Sequence, residues 1–449
     1  MKHLFSRLSP AQKIILSFLL VIFCGSLLLS LPWVQTASSQ AGYLDHLFTA
    51  VSMVCVTGLF TRSVVDSYNV WGQLLCMLLI QIGGLGILTF IGFFTMESRK
   101  KLSLKDRRIL RDSFSYGHNR TLGQFVRSIF ITTFSIEGLG ALLLMIRFIP
   151  KFGLRKGIFN SIFLAVSAFC NAGFDNFGND SLLGLQTDVL VNITLALLII
   201  TGGLGFMVWF DLATKLGGKQ KGLHFHTKVV LLLTAGLLVF GTVTSLWTEY
   251  NNPGTIGNLS FGDKLLVSFF QTVSMRTAGF ASIDYTAARP VTLFIYLLQM
   301  FLGGAPGGTA GGLKITTFLV LLLFARKEIL GLPHTNMGRR TLSPQLVQKA
   351  FGVTVIFQLT FLLGLLALGL VTDSSHRFIY LIFETVSALA TVGVTANITT
   401  SLNTAGMIVI MLLMFIGRVG PLTLMVSLNH YQPKKAATLH YSKADIMIG

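Results

Sequence analysis

Charge, and acidic charge above all, is what this chain has little of: 17 Asp and Glu stand against 35 Lys and Arg in 449 residues, and charged residues of both signs reach only 12%. A soluble domain carries about 25%, so an ordinary water-facing surface is excluded, and a hydrophobic share of 52% puts the chain in a bilayer. Cysteine is scarce as well. Cys24, Cys55, Cys76 and Cys170 all fall in apolar or pore-like segments, which reads as small apolar filler and excludes a disulfide framework. Walker loops, HExxH, paired CxxC and G-x-S-x-G are missing, as are clusters of His, Asp or Glu at membrane depth, so a polytopic membrane enzyme has no site to stand on. The net charge of +18 does not make a nucleic-acid binder, because the basic residues are confined to linkers, where anionic lipid would hold them. His224 and His226, an isolated pair beside Lys221 and Lys228, read as a solvated turn rather than a metal site.

What is present is a repeat. Val51-Ser52, Val166-Ser167, Val273-Ser274 and Val386-Ser387 each end a short apolar segment, and each is followed five or six residues later by a glycine. Those glycines, Gly58, Gly173, Gly279 and Gly393, lie 115, 106 and 114 residues apart, the signature of a fourfold internal repeat. The third motif is one residue shorter and carries Arg276. A fourfold repeat in one chain can close a ring around an axis, and rings of backbone carbonyls strip water from monovalent cations.

Each repeat has one grammar: a long apolar span, a polar stretch, a shorter apolar segment ending in the motif, and a second span. Spans are expected near 13–32 and 71–96 around Tyr43 to Gly58, near 125–149 and 188–213 around Gly157 to Gly173, near 227–248 and 291–325 around Phe261 to Gly279, and near 350–371 and 404–428 around Arg377 to Gly393. The shorter segments cannot cross a bilayer, which takes about 20 residues, so they read as re-entrant helices. The non-helical backbone after them is tolerated at membrane depth only where protein buries it or water lines it. The expected class is therefore an all-α polytopic membrane protein, four span, re-entrant helix, span repeats in pseudo-fourfold arrangement around one pore. Its parts are an N-terminus at 1–12, repeat 1 at 13–98, a basic linker at 99–124, repeat 2 at 125–214, a linker at 215–226, repeat 3 at 227–326, a linker at 327–348, repeat 4 at 349–428 and a tail at 429–449. Lys13 to Leu31, followed by Pro32-Trp33, reads as a retained first helix rather than a signal peptide.

Charge sets the topology. Arg99, Lys100, Lys101, Lys105, Arg107, Arg108 and Arg111 fill the first linker, Lys215, Lys219, Lys221 and Lys228 the second, and Arg326, Lys327, Arg339, Arg340 and Lys349 the third. By the positive-inside rule these linkers and both termini are cytoplasmic, and the glycine motifs enter from outside. Arg147, Lys151, Arg155 and Lys156 disagree and are outvoted.

Glycine also punctuates the second spans. Ile82-Gly83-Gly84-Leu85-Gly86 matches Thr201-Gly202-Gly203-Leu204-Gly205 and Ile416-Gly417-Arg418-Val419-Gly420, and the first two copies read as close helix packing. The third repeat instead has Gly303, Gly304, Ala305, Pro306, Gly307, Gly308, Thr309, Ala310, Gly311 and Gly312 in mid-span. Glycine costs about 1 kcal/mol and proline about 3 in a helix, so this span breaks inside the membrane, and only this repeat is expected to carry a broken span.

The repeat plan, the four glycines, Met275-Arg276-Thr277-Ala278-Gly279-Phe280, the broken third-repeat span and the ending Phe415-Ile416-Gly417-Arg418-Val419-Gly420-Pro421-Leu422-Thr423 together resemble the Trk/Ktr/HKT potassium-uptake family, over nearly the whole chain and most like its bacterial Ktr-type membrane subunit. The resemblance implies a homodimeric potassium-translocating subunit of the bacterial cytoplasmic membrane, multi-pass, docked to a cytosolic RCK-type nucleotide-binding ring protein, with membrane lipid but no nucleic acid as a further partner. It implies a selectivity filter at Gly58, Gly173, Gly279 and Gly393, a gate at Gly303 to Gly312, and an arginine, here Arg418, projecting toward the pore below the filter. Gly58, where plant members that carry sodium have serine, argues for potassium.

Physical reasons stand beside these roles. Glycine reaches positive φ at little cost, so carbonyls of Val56, Thr57, Asn171, Ala172, Thr277, Ala278, Thr391 and Val392 can turn toward one axis, and four unlike motifs suggest modest selectivity. The carboxyl ends of the short helices favour a cation. Arg418 is costly at membrane depth and needs water or an acidic partner; as an electrostatic barrier it would sit beside Lys314, which either faces the pore or snorkels to the edge. Glu384 and Arg276 are candidates for an ion pair behind the filter, and Glu137 for an interhelical hydrogen bond. The expected activity is channel-like potassium uptake driven by membrane potential, K+ being the substrate and no cofactor being bound. The alternative is a secondary symporter coupling potassium to sodium or protons.

Overall fold

Apolar backbone in lipid must satisfy its hydrogen bonds internally, and the computed structural model, which describes residues 10–86, 122–178, 181–218, 220, 222–372 and 377–420, does so with helices. The basic linker at 99–111, the tail at 429–449, Lys219, Lys221 and the ends of two second spans, 87–96 and 421–428, lie outside the described residues. First spans run Pro10–Leu29, Leu122–Phe152, Phe225–Glu249 and Pro344–Val371, long and apolar enough to cross a membrane. Their outward faces carry exposed Leu139, Leu142, Leu363 and Leu366, as lipid contact requires. Among the described residues the only strands pair Asn336–Met337 with Arg340–Thr341 in the third linker, a hairpin the sequence reading did not anticipate.

Re-entrant helices occupy Tyr43–Cys55, Leu154–Phe169, Phe261–Ser274 and Phe378–Leu389. Each buries one equivalent phenylalanine completely: Phe48, Phe163, Phe270 and Phe383 are all 0% exposed. Second spans run Val70–Leu85, Val189–Gly203, Pro290–Phe301 and Thr404–Val419. Three of them start on a polar cap, with Asn69 accepting from Gly72 N, Asp188 from Val191 N and Asn403 from Gly406 N, whereas the third starts with Pro290 in its first turn. Each second span packs on the re-entrant helix of the next repeat, and that of repeat 4 packs on Tyr43–Cys55 of repeat 1. The four repeats therefore close a ring.

Within the described residues the continuous helices of the second spans are short. Sixteen residues, as in Val70–Leu85, make about 24 Å of helix, short of the roughly 30 Å hydrocarbon core. Those of repeats 1, 2 and 4 stop at or just before glycines in one backbone conformation: Gly86 at φ 82° and ψ 132°, Gly205 at φ 90° and ψ 141°, Gly420 at φ 90° and ψ 127°. At Gly205 the chain bends by 98° into a second helix, Phe206–Leu216. The break expected only of repeat 3 is thus present in repeat 2 as well, because a positive φ ends an α-helix wherever it falls. Close packing accounts for the glycine three residues earlier: a methyl on Gly83, Gly202 or Gly417 would overlap the carbonyl oxygen of Val54, Phe169 or Leu389 at the end of its own re-entrant helix.

Two other details correct the sequence reading. His224 is exposed, as a solvated turn would be, but it also has a partner: its backbone N–H donates to Asp211 Oδ2 at 2.8 Å and its ring meets Asp211 Oδ1 at 2.5 Å, tying the bent helix of repeat 2 to the first span of repeat 3. Arg147, one of the outvoted cations, pairs with the cap residue Asp188.

Candidate functional site

The serine of each Val-Ser dipeptide pins its glycine loop. Ser52, Ser167 and Ser387 accept at Oγ from Gly58 N (3.1 Å), Phe174 N (3.0 Å) and Gly393 N (3.1 Å), while Ser274 Oγ donates to Phe280 O at 2.6 Å. The carbonyls of the same serines accept from Thr57, Ala172, Ala278 and Val392 at 2.8 to 2.9 Å. Positive φ occurs twice in each glycine loop, at Gly58, Gly173, Gly279 and Gly393 and again two residues earlier, at Val56, Asn171, Thr277 and Thr391; the residue between is not in that region. Alternating backbone handedness points successive N–H groups one way and carbonyls the other. With the N–H groups bound to serine, the carbonyls are left for the axis. A branched residue in the left-handed region costs about 1 to 3 kcal/mol and persists only where its surroundings dictate it. Sequence reasoning placed these four residues in the loops but missed their left-handed backbone, since Val and Thr at three of them are among the residue types least suited to it.

The glycines close the circle in chain order. A methyl on Gly58 would sit 2.7 Å from Ala172 O, one on Gly173 2.6 Å from Ala278 O, one on Gly279 2.6 Å from Val392 O, and one on Gly393 would overlap Thr57 O. No side chain fits. All four re-entrant helices end here, each bringing about half a negative charge at its carboxyl end.

A polar brace holds the loop beyond each glycine. Thr61 Oγ1 donates to Asp45 at 2.7 Å, Asn176 Nδ2 to Asn160 Oδ1 at 2.7 Å, and Gln271 Nε2 to Ser282 Oγ at 2.8 Å. Glu384 accepts from Thr395 Oγ1 at 2.6 Å and from Thr399. Four different residue types do this work, so no motif announced it. Glu384 is therefore not the partner of Arg276, which is 7% exposed and whose Nε has no hydrogen-bond partner; the expected ion pair does not form because Glu384 is turned to the outer loop. Asp175, in the loop after the second glycine, accepts from Phe177 N and Ser181 Oγ, yet burial pushes its carboxyl up to about 6.

Below the ring lies the glycine-rich stretch. Gly303 to Gly312 leaves the helix at Phe301 and rejoins it at Ile315, with Leu302 bridging Leu313. Ala305 N and Thr309 N donate to Gly203 O (2.9 Å) and Gly202 O (3.2 Å), and Phe206 N donates to Gly307 O at 3.0 Å. A small separate apolar cluster, including Leu204, Val230, Ala305 and Ile315, forms where the breaks of repeats 2 and 3 meet. Thr309 Oγ1 donates to Phe169 O at 3.1 Å, and Gly311 N to Thr277 Oγ1 at 3.2 Å. Pro306, Gly308 and Ala310 complete the passage, with Ala310 O accepting from Lys314 Nζ at 2.7 Å. Lys314 thus turns back onto the stretch rather than snorkelling.

Among the described residues Arg418 has no acidic partner, and its guanidinium is taken up by backbone carbonyls instead. Its Nη1 donates to Thr309 O at 2.5 Å, and its Nη2 to Gly83 O and to Gly84 O, the latter at 3.3 Å. It is a clamp across the glycine stretch of repeat 3 and the second span of repeat 1. Glu137 accepts from Gln81 Nε2 at 3.1 Å, an interhelical bond. Among the described residues no group of three or more His, Cys, Asp or Glu could hold a metal ion; the oxygen atoms on offer are neutral carbonyls and hydroxyls, which suit a monovalent cation.

Four repeats around an axial carbonyl ring, with a broken span crossing beneath it, define a polytopic membrane protein of the cation-transporter class. The chain belongs to the TrkH family of cation transport proteins, whose family model matches residues 7–438. It is similar to the Ktr system potassium uptake protein B of Bacillus subtilis, 38% identical over 443 residues, 99% of this chain and 97% of that protein. The potassium/sodium uptake protein NtpJ of Enterococcus hirae is 39% identical over 453 residues, 100% of this chain and 99% of that one. The crystal structure of the potassium transporter TrkH from Vibrio parahaemolyticus shares the fold, with a TM-score of 0.74 at 17% identity over 93% of this chain and 84% of that chain.

Proposed function

We propose that this chain carries potassium into the cell through the axial ring, as a channel-like pore driven by membrane potential. The observation that carries the reading is the closed ring of glycine loops at the meeting point of four helix carboxyl ends, a place of neutral oxygens and inward negative potential. One charge moved across 100 mV is worth about 2.3 kcal/mol, enough to concentrate potassium without a nucleotide site. Gly303 to Gly312, held by Arg418, is the gate in this reading. Its release is assigned to a cytosolic RCK-type ring subunit, since no nucleotide-binding fold occurs among the described residues, and the membrane unit is a homodimer of the bacterial cytoplasmic membrane with both termini inside, as the basic linkers favour. That the relatives are named potassium uptake proteins supports the substrate.

Sodium coupling is the second reading, favoured by the Enterococcus relative's being named a potassium/sodium uptake protein. The test is rubidium flux across a planar bilayer whose voltage is clamped with electrodes, while sodium and pH gradients are varied separately. Uptake that follows voltage alone supports the pore; uptake that a sodium or proton gradient drives at zero voltage overturns it in favour of symport. Growth of a host without its own uptake systems, with and without a co-expressed ring protein, tests the regulation.

A further inference from the structure

The oxygens just beneath the ring have an unusual set of partners. Thr277 and Thr391 occupy the same position in adjacent repeats, two residues before the ring glycine, each with positive φ and each 0% exposed. Both hydroxyls converge on one backbone point: Thr277 Oγ1 accepts from Gly311 N at 3.2 Å, and Thr391 Oγ1 lies so close to Gly311 that a methyl there would overlap it. Thr391 Oγ1 nevertheless has no hydrogen-bond partner, and neither has Thr57 Oγ1, one residue before Gly58. Phe169 O, the carbonyl at the end of the second re-entrant helix, accepts from Thr309 Oγ1 at 3.1 Å. Buried hydroxyls without partners are rare and call for an explanation.

We propose that Thr277 Oγ1, Thr391 Oγ1 and Phe169 O form an inner site for a partly dehydrated monovalent cation, and that the glycine stretch and the cation are alternative occupants of it. The inference rests on the potassium reading above and adds a ligand site and a coupling to it. The donors are all neutral oxygens; a divalent ion would call for carboxylates. Gly311 N–H and the Thr309 hydroxyl present their hydrogens to two of the oxygens that a cation would take, so hydrogen-bond donors stand in for the ion while the stretch is in place. Thr391 is left over because one N–H cannot serve two hydroxyls, whereas one cation can.

A ligand that binds only when the stretch has withdrawn favours the withdrawn state by the factor 1 + [L]/Kd. Potassium arriving from the ring then primes the opening beneath it, and a regulatory subunit has to supply only the remainder.

The experiment uses the full chain in vesicles, with Cys24, Cys55, Cys76 and Cys170 replaced and Ala310→Cys as reporter. The rate of modification by a membrane-impermeant thiol reagent is followed as potassium replaces choline at constant ionic strength, and rubidium uptake is measured on the same vesicles. Modification should accelerate about tenfold when potassium reaches about ten times its Kd. Thr391→Val should move the midpoint at least about threefold higher, with Thr391→Ser close to the parent, and Thr277→Val should raise the rate without potassium while blunting the response. If Thr391→Val does not assemble, the potassium titration of the reporter alone decides. A rate that is flat or falls with potassium, in vesicles that take up rubidium, overturns the inference and leaves the potassium reading standing. Vesicles that take up no rubidium overturn both.

Discussion

Repeat 2 leaves the ring through Leu204 and Gly205, where one glycine at φ 90° turns the helix by 98°, whereas repeat 3 uses everything from Leu302 to Lys314 for the same exit. The glycine turn leaves few peptide groups without a helix partner. The longer passage leaves many, and they are satisfied by Gly202, Gly203, Thr277 and Arg418, mostly in other repeats. Bonds borrowed from neighbours can be exchanged for bonds to water or an ion; a turn built into one residue's φ cannot. Both exits break a second span, but only the one in repeat 3 is held mainly by bonds to other repeats.

That contrast can be broken in order of expected effect. Gly393→Ala, which adds overlap with Thr57 O to a backbone at φ 96°, should cut rubidium uptake by well over tenfold, each 1.36 kcal/mol of barrier being about tenfold in rate; Gly138→Ala, facing open space, should leave it unchanged. Uptake surviving in Gly393→Ala would remove the ring from the pathway. Arg418→Gln should come next. Charged hydrogen bonds contribute about 1.5 to 3 kcal/mol each, so loss of the clamp should raise basal leak roughly tenfold or more, and an unaltered leak would show that the stretch in repeat 3 is held by its other bonds.

Stability separates the two exits more finely. Gly205→Ala combines positive φ with approach to Pro306 O at 2.7 Å, while Gly307→Ala, at φ 72°, meets nothing within 4 Å. Left-handed strain alone is about 1 to 2 kcal/mol, so thermal unfolding in detergent should rank Gly205→Ala clearly below Gly307→Ala; the reverse order would mean that the exit of repeat 2 is the adaptable one. A double-mutant cycle of Glu384→Gln and Arg276→Gln should give a coupling below about 0.5 kcal/mol, as for residues that share no partner.

A pH-dependent effect concerns Asp175. Its folded carboxyl lies near 6 against an ordinary value of 3.8, so the stability it contributes is fully present below the ordinary value and lost as pH rises through 6. Asp175→Asn should flatten that decline, by on the order of 1 kcal/mol between pH 4 and 7.

Much of this architecture was legible because it is written in local terms. Apolar run lengths give the spans, the spacing of four glycines gives the fourfold plan, and six glycines with a proline in ten residues cannot be a helix. The break at Gly205 carried the same signal as close packing at Gly202, and one glycine-rich patch does both jobs, so reading it as packing alone missed the bend. The left-handed Val56, Thr277 and Thr391 were invisible because their residue types argue against that conformation, which the serine and the closed ring impose. Arg418 suggested an acidic partner because sequence displays side-chain charges but not carbonyls freed by a helix that ends early.

The cyclic packing also dictates when the ring can exist. Arg418 and Gly83 are 335 residues apart, and Tyr43–Cys55 has no neighbour on its open side until the second span of repeat 4 arrives. At about 5 to 20 residues per second of synthesis, the first glycine loop waits tens of seconds in the bilayer before the fourth completes its surroundings. Newly made chains therefore pass through a long-lived stage with an unsealed polar seam, the stage at which a membrane chaperone or a quality-control protease would meet them.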